Sequence, residues 1–209
     1  MIEAKMKTEE EISFQQARSN VYLLLANVFL GNWQKLKEAA TIIEVPVDDP
    51  ISSIVNELRT TPLEELEIQY DNLFVVPASF FVPPFAAHYL PFKDEEEEDQ
   101  YFNKINHYYQ TFDFNLPFEQ FGRVDHLGYL LAFIAYVNEA TKQLIKEGDE
   151  ENIQQSIQFQ KNFLNNDLQS WIGTLEKEVS QKLNRGLLLN AVRYLHQFIE
   201  WDIEELGKL

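Results

Sequence analysis

The segment LEELEIQYDNLFVVPASFFVPPFAAHY, residues 63–89, joins a predicted helix to an apolar, proline-rich loop. The apolar residues of its first half recur every three or four positions: Leu63, Leu66, Tyr70, Leu73 and Phe74. This spacing places them on one face of a helix and predicts that the face is buried. We expect the helix to begin at Thr61-Pro62, because Thr61 and Glu64 match a capping box and proline suits the first helical position.

The second half of the segment is predicted to be a loop, and it is strongly apolar. Pro77, Pro83 and Pro84 remove backbone donors and push the residues before them into extended conformations. The side chains around these prolines are mostly large and apolar: Val75, Val76, Phe80, Phe81, Val82, Phe85 and Tyr89. A loop in solvent would be polar, so this loop is expected either to pack on a helical body or to line a groove that a ligand fills.

Helical periodicity extends over most of the remaining chain. The other predicted helices cover about residues 9–30, 33–43, a stretch after residue 50, 99–112, 123–147, 149–183 with a break near 165–166, and 186–206. No segment stands out with the alternation typical of a strand. We therefore expect one all-α domain, residues 1–209, built as a bundle of about eight to eleven helices.

The composition is acidic and lacks cysteine. The net charge is -17, and because nucleic-acid binding needs a cationic face, nucleic acid is not an expected partner. A cationic peptide or protein would be attracted, although the charge can also serve solubility alone. The absence of cysteine excludes a disulfide scaffold and a thiolate metal site.

The sequence carries no predicted membrane span. The longest apolar run, Leu127 to Val137, is well short of the ~20 residues that a spanning helix needs. The first residues, MIEAKMKTEEEISF, lack the cationic and apolar regions of a signal peptide. These features predict a cytoplasmic protein.

Six consecutive acidic residues, Asp94 to Asp99, admit two interpretations. They can form a hydrated loop that runs into a helix start, where carboxylates favour the positive end of the helix dipole. Alternatively, they form an acidic lip beside a groove and attract a cationic ligand.

The sequence lacks the motifs of most familiar enzyme classes. It has no glycine-rich phosphate loop, no HExxH and no GxSxG, and none of its four histidines follows a glutamate by three positions. The adjacent pair Asp125-His126 opens a predicted helix, where neighbouring side chains point about 100° apart and do not form a catalytic dyad. We predict neither an enzyme nor a bound metal or cofactor.

Three motifs occur in an order that resembles one known family. They are Tyr70-x-x-Leu73-Phe74-x-x-Pro77 with Pro83-Pro84-Phe85-x-x-x-Tyr89, then Asp125-His126-Leu127-Gly128, then a C-terminal helix pair containing Trp171. This chain resembles the TorD, DmsD and NarJ family, the cytoplasmic chaperones of molybdoenzymes. It departs from the usual pattern at Val124, where the family has proline, and at Leu130, where it often has glutamate.

The resemblance implies a TorD-like helical chaperone that binds the N-terminal, often twin-arginine, leader and the apo form of a molybdopterin-containing reductase subunit. Such a chaperone assists cofactor insertion and delays export until maturation. The peptide-binding residues that it implies form or support an apolar wall with a polar anchor: Tyr70, Leu73, Phe74, Pro83, Pro84, Tyr89, Asp125 and His126. Asp125 and His126 are the expected anchor.

Two other functions remain open on the sequence. The chain could be an assembly subunit that docks on a mature partner, or an all-α protein that binds a nucleotide, although no phosphate loop is present. The sequence also leaves open a monomer or a domain-swapped dimer.

Overall fold

The computed structural model describes residues 2–46, 48–116 and 122–208, with side chains from residue 8 onward. The chain is helical throughout its regular structure: α1 (Ile2–Phe29), α2 (Trp33–Ile42), α3 (Ser52–Thr60), α4 (Leu63–Tyr70), α5 (Glu95–Thr111), α6 (Leu127–Glu147), α7 (Glu150–Phe163), α8 (Ser170–Lys182) and α9 (Leu187–Leu206). Within these described ranges the only β-type pairing is one isolated antiparallel bridge between Phe85 and His126. The all-α bundle predicted from the periodicity is confirmed.

The centre of the bundle is the pair α1 and α6, which share the most extensive helix contact. α6 is buried almost all round through its first half, as its apolar sequence predicts. Gly128 allows this close approach, because a Cβ atom placed there would lie 2.6 Å from Cγ of Leu30. α7 packs on α6, and α9 packs against α8, α3 and α1.

Helix ends agree with several of the sequence signals. Gly31 and Gly148 have positive φ angles of 68° and 73°, and they end α1 and α6 where the glycines predict an end. The carboxylate of Asp149 accepts a bond from the N–H of Asn152 and caps α7. The predicted break near residues 165–166 is a π-helical stretch, Leu164–Gln169, that joins α7 to α8.

Other helix starts differ from the prediction. The capping box at Thr61 is wrong, since Pro62 precedes the first residue of α4 and no side chain caps that end. α5 begins at Glu95 rather than near residue 99, because the carboxylate of Asp94 accepts the N–H of Glu97. α6 begins at Leu127 rather than near residue 123, because the residues before it pair with the apolar loop described below.

Candidate functional site

The helix predicted from residue 63 continues past Tyr70 into the π-helix Asp71–Val75. The Tyr70 hydroxyl donates to the carbonyl oxygen of Phe29 at 2.8 Å, and the Phe74 ring packs edge-on against the Phe29 ring. Leu73 is also buried. All three predicted site residues of this segment are core residues, and they support the start of the following loop.

The apolar loop, residues 76–92, has an extended part at residues 81–85, with a turn before it and the 3-10 helix Ala86–His88 after it. Buried and half-buried residues alternate in it: Val82, Pro84 and Ala86 are buried, and Phe81, Pro83 and Phe85 are half-buried. Backbone hydrogen bonds join the loop to the start of α6. The N–H of Ala86 donates to the carbonyl oxygen of Asp125 (3.1 Å), and the N–H of Leu127 donates to the carbonyl oxygen of Pro84 (2.8 Å). One face of the loop is therefore packed on the core and the other is partly open to solvent.

Tyr89 holds the far end of the apolar loop against α8. Its ring stacks on Trp171 with ring centres 5.4 Å apart, and its hydroxyl donates to the carbonyl oxygen of Pro83 at 2.9 Å. Lys182, at the end of α8, donates to the carbonyl oxygen of Ser79 at 2.7 Å. The loop is thus tied to α8 at both its tip and its end.

Asp125 is fully buried beneath the apolar loop. Its Oδ2 accepts the N–H of Ala87 at 2.9 Å, and Arg123 donates Nε to Oδ1 (3.0 Å) and a terminal nitrogen to Oδ2 (2.9 Å). The carboxylate is therefore bound on one side by the loop backbone and on the other by a guanidinium group.

His126 is also fully buried, and it caps α6 with its side chain. The imidazole Nδ1 accepts the N–H of Gly128 at 3.1 Å. Burial lowers the pKa of His126 to about 3, so the ring is neutral at pH 7. In this arrangement Asp125 and His126 position the loop, and their predicted contact with a peptide stays a prediction.

A cleft of about 1000 Å³ opens beside the tip of the apolar loop, between α3, α4 and the link from α8 to α9. Its apolar part is formed by Leu73, Phe80 and Leu183. Polar and charged side chains form the rest: Glu57, Thr61, Glu65, Gln69, Asn72, Asn184, Arg185, Asn190 and Arg193. Such a cleft can hold apolar side chains of a ligand and bond its backbone through the amide groups.

Large apolar side chains are exposed at Phe80, which lines this cleft, and at three residues near the cleft-lining Gln69 and Asn72 in sequence. Phe80 is 52% exposed, and Ile68, Val75 and Val76 are each close to half exposed. Exposed apolar residues that cluster at one place indicate an interaction surface more often than scattered ones do. Both expectations for the apolar loop therefore apply to different parts of it. Residues 82–86 pack on the bundle, and the tip at Phe80 lines a cleft.

A second, more apolar groove of about 740 Å³ lies between α1, α2, α3 and the link after α2. Its walls include Val21, Leu24, Ala39, Ile43 and Val45. It is separate in sequence from the motifs that carried the resemblance.

Metal-holding clusters and membrane-spanning helices are both absent from the described residues. No group of three or more histidine and carboxylate side chains there could hold a metal ion. No helix among the same residues is both long and apolar enough to cross a membrane.

The structure brings only part of the predicted site to the cleft. Leu73 forms part of its wall, whereas Asp125 and His126 contact residues 85–87, further along the loop, and do not line the cleft. The sequence analysis did not predict Leu183 or the link Asn184-Arg185-Gly186 as site residues. The signal that was available is the position of this link between two long helices, but nothing in the sequence placed it near residue 80.

Comparison with known proteins identifies the family. The family model described as nitrate reductase delta subunit matches residues 29–176, which include the apolar loop, the Asp125-His126 pair and Trp171. No curated protein and no solved structure matches the chain. The match covers most of the 209 residues and agrees with the resemblance drawn from the motifs. The chain therefore belongs to the nitrate reductase delta subunit family, a family of molybdoenzyme chaperones of the TorD and NarJ kind.

Proposed function

We propose that this protein is a cytoplasmic chaperone that binds the N-terminal leader and the apo form of a nitrate-reductase-type molybdoenzyme subunit. It holds the subunit until the molybdopterin cofactor is inserted and, where the subunit is exported, delays export. Family membership supports the maturation role. The main observation in favour of leader binding is the cleft beside the exposed tip of the loop.

The chemistry of the cleft suits a leader peptide. Phe80 and Leu183 offer an apolar surface to the apolar segment of a leader, and Asn72 and Asn184 can bond its backbone. Glu57 and Glu65 lie on the same cleft, and Arg185 and Arg193 balance their charge, so the attraction for cationic side chains rests on the protein as a whole. The net charge of -17 adds a long-range attraction for a leader that carries arginines.

Calorimetric titration with the leader of a molybdoenzyme encoded beside this protein tests the proposal. We expect micromolar or tighter binding, about -8 kcal/mol or better, that is lost when the leader sequence is scrambled. Phe80→Asp places a charge on the apolar side of the cleft and should weaken binding at least tenfold. Ile42→Asp is the matched control, since Ile42 is 81% exposed on α2 and does not line the cleft.

Two results would contradict the proposal. If no leader binds, or if Phe80→Asp and Ile42→Asp bind equally well, the cleft is not the leader site. If a mature subunit without its leader binds as tightly as the full subunit, the protein is an assembly subunit for a mature partner.

A further inference from the structure

We propose that Asp125, Phe85 and Phe102 form a guanidinium-binding site that the protein's own Arg123 occupies, and that a leader arginine displaces Arg123 from it. The site itself stands on geometry alone. The identity of the incoming arginine rests on the proposed function.

The contacts of Arg123 are those of a bound guanidinium ligand. Two parallel hydrogen bonds, of 3.0 and 2.9 Å, join it to both oxygens of Asp125. Its guanidinium carbon lies 4.7 Å from the ring centre of Phe85 and 5.3 Å from that of Phe102. A planar cation held at its edge by a carboxylate and contacted by two aromatic rings is an arrangement that arginine fits and lysine does not.

The two partners of this ion pair differ in their access to water. The Asp125 side chain is 0% exposed, whereas the Arg123 side chain is 42% exposed. The loop fixes the carboxylate, since Oδ2 also accepts the N–H of Ala87. If Arg123 moves out, a buried negative charge is left without its cation, and this loss favours the entry of another guanidinium group.

The position of Arg123 in the chain allows it to leave. It lies before α6 and outside any helix, so its movement breaks no helical hydrogen bond. Gly122 precedes it with a φ angle of 66°, which a glycine adopts without strain. Phe85 and Phe102 come from the apolar loop and α5, and the backbone of residues 84–86 is bonded to Asp125 and Leu127, so these groups stay in place when the Arg123 side chain moves.

The guanidinium site and the cleft lie on the same loop. Phe80 borders the cleft and Phe85 contacts Arg123, and five residues of chain separate their Cα atoms by no more than about 19 Å. An extended leader of about six residues can cover that distance at ~3.3 Å per residue. A leader arginine in the site would therefore be compatible with an apolar leader segment in the cleft.

Chemical rescue of Arg123→Ala tests the site without any leader. We expect this variant to melt at a lower temperature than the parent protein and to recover part of the loss with millimolar methylguanidinium chloride, in a saturable manner. Methylammonium chloride at the same ionic strength should give no comparable recovery. Arg193→Ala is the control variant, because its partner Glu176 lies 3.9 Å away and is partly exposed, and it should show no response.

Leader titration of the same variant tests displacement. In Arg123→Ala no internal arginine has to leave, so this variant should bind the leader about tenfold more tightly than the parent protein. The double variant Arg123→Ala, Phe102→Ala also lacks one ring of the site, and it should lose this gain in affinity. Arg123→Gln keeps a hydrogen-bond donor beside Asp125, and it replaces Arg123→Ala in both experiments if the alanine variant does not fold.

The outcomes separate this inference from the proposed function. A methylguanidinium response no larger than the methylammonium response would overturn the site. Rescue together with unchanged or weaker leader binding would overturn displacement. Rescue of the variant, with no leader binding to the parent protein, would contradict the proposed function and leave the guanidinium site standing.

Discussion

Arg18 in α1 and Asp202 in α9 form a buried ion pair, with Nε 2.5 Å from Oδ1 and a terminal nitrogen 3.0 Å from Oδ2. The Tyr22 hydroxyl donates to the same carboxylate at 2.6 Å. The remaining terminal nitrogen of Arg18 donates to the amide oxygens of Gln15 and Gln160, at 2.7 and 2.6 Å. These bonds tie the first helix to the last and satisfy a charge pair that would otherwise be costly to bury.

Removing one partner of this pair should be strongly destabilising. Arg18→Met leaves the Asp202 carboxylate buried without its cation, and we expect a loss of about 3–5 kcal/mol in the free energy of unfolding. Urea denaturation measures this loss. Glu200→Gln is the control, since Glu200 lies on the exposed face of α9, the helix that carries Asp202. It should change the free energy of unfolding by less than about 0.5 kcal/mol. A loss for Arg18→Met no larger than that of the control would show that the pair contributes nothing.

Gly128 sets the spacing between α1 and α6. In Gly128→Ala the new methyl group would lie 2.6 Å from Cγ of Leu30 and 3.2 Å from the carbonyl oxygen of Ala26, so we expect a loss of about 1–3 kcal/mol. Gly173→Ala is a matched control in α8, where the nearest atom is the edge of the His196 ring at 3.3 Å. There alanine gains helix propensity and should be close to neutral. Equal effects of the two variants on the melting temperature would argue against close packing at Gly128.

Burial of neutral His126 should make the protein sensitive to acid. Its pKa is about 3 in the folded protein and about 6.5 when exposed, so the unfolded state binds the extra proton between these values. Stability should therefore fall as the pH is lowered from about 6.5 towards 3, by up to about 1.4 kcal/mol per pH unit from this group.

His126→Asn keeps a side chain that can cap α6 and removes the titrating ring. The difference in stability between this variant and the parent protein should shrink as the pH falls through that range, as measured by denaturation at several pH values. His88→Asn, at an exposed position, should retain the pH profile of the parent protein. If the stability of the parent protein and of His126→Asn changed with pH in parallel, the acid sensitivity would not come from His126.

The acidic start of α5 should increase the rate at which a leader associates. The double variant Glu95→Gln, Glu96→Gln removes two exposed charges. We expect it to associate with the leader more slowly than the parent protein at low salt, and at the same rate as the parent protein at high salt. The reason is that exposed charges are screened beyond about 8 Å at physiological ionic strength. Glu150→Gln with Glu151→Gln removes two charges from the equivalent first turn of α7 and is the control. Equal rates for the two double variants in stopped-flow measurements would reject a steering role for residues 94–99.

The local signals for helices were reliable because they depend on neighbouring residues. Gly148, Asp149 and the apolar face of α6 gave helix ends and burial that the structure confirms. The capping box at Thr61 failed because Pro62 there adopts an extended conformation and α4 starts without a side-chain cap. The start of α6 was also placed too early, since pairing with a loop forty residues away decides it.

The sequence by itself determined the helical class, the central position of α6, the apolar character of the loop and the resemblance to the family. Only the tertiary structure decided which of the motif residues are buried, and it placed Asp125 and His126 beneath the loop and Phe80 at a cleft. The physical reason is that periodicity depends on contacts within one helix. The cleft and the Arg123 site depend on segments that are distant in the chain, since Phe80 and Leu183 line the same cleft and Arg123 contacts Phe85.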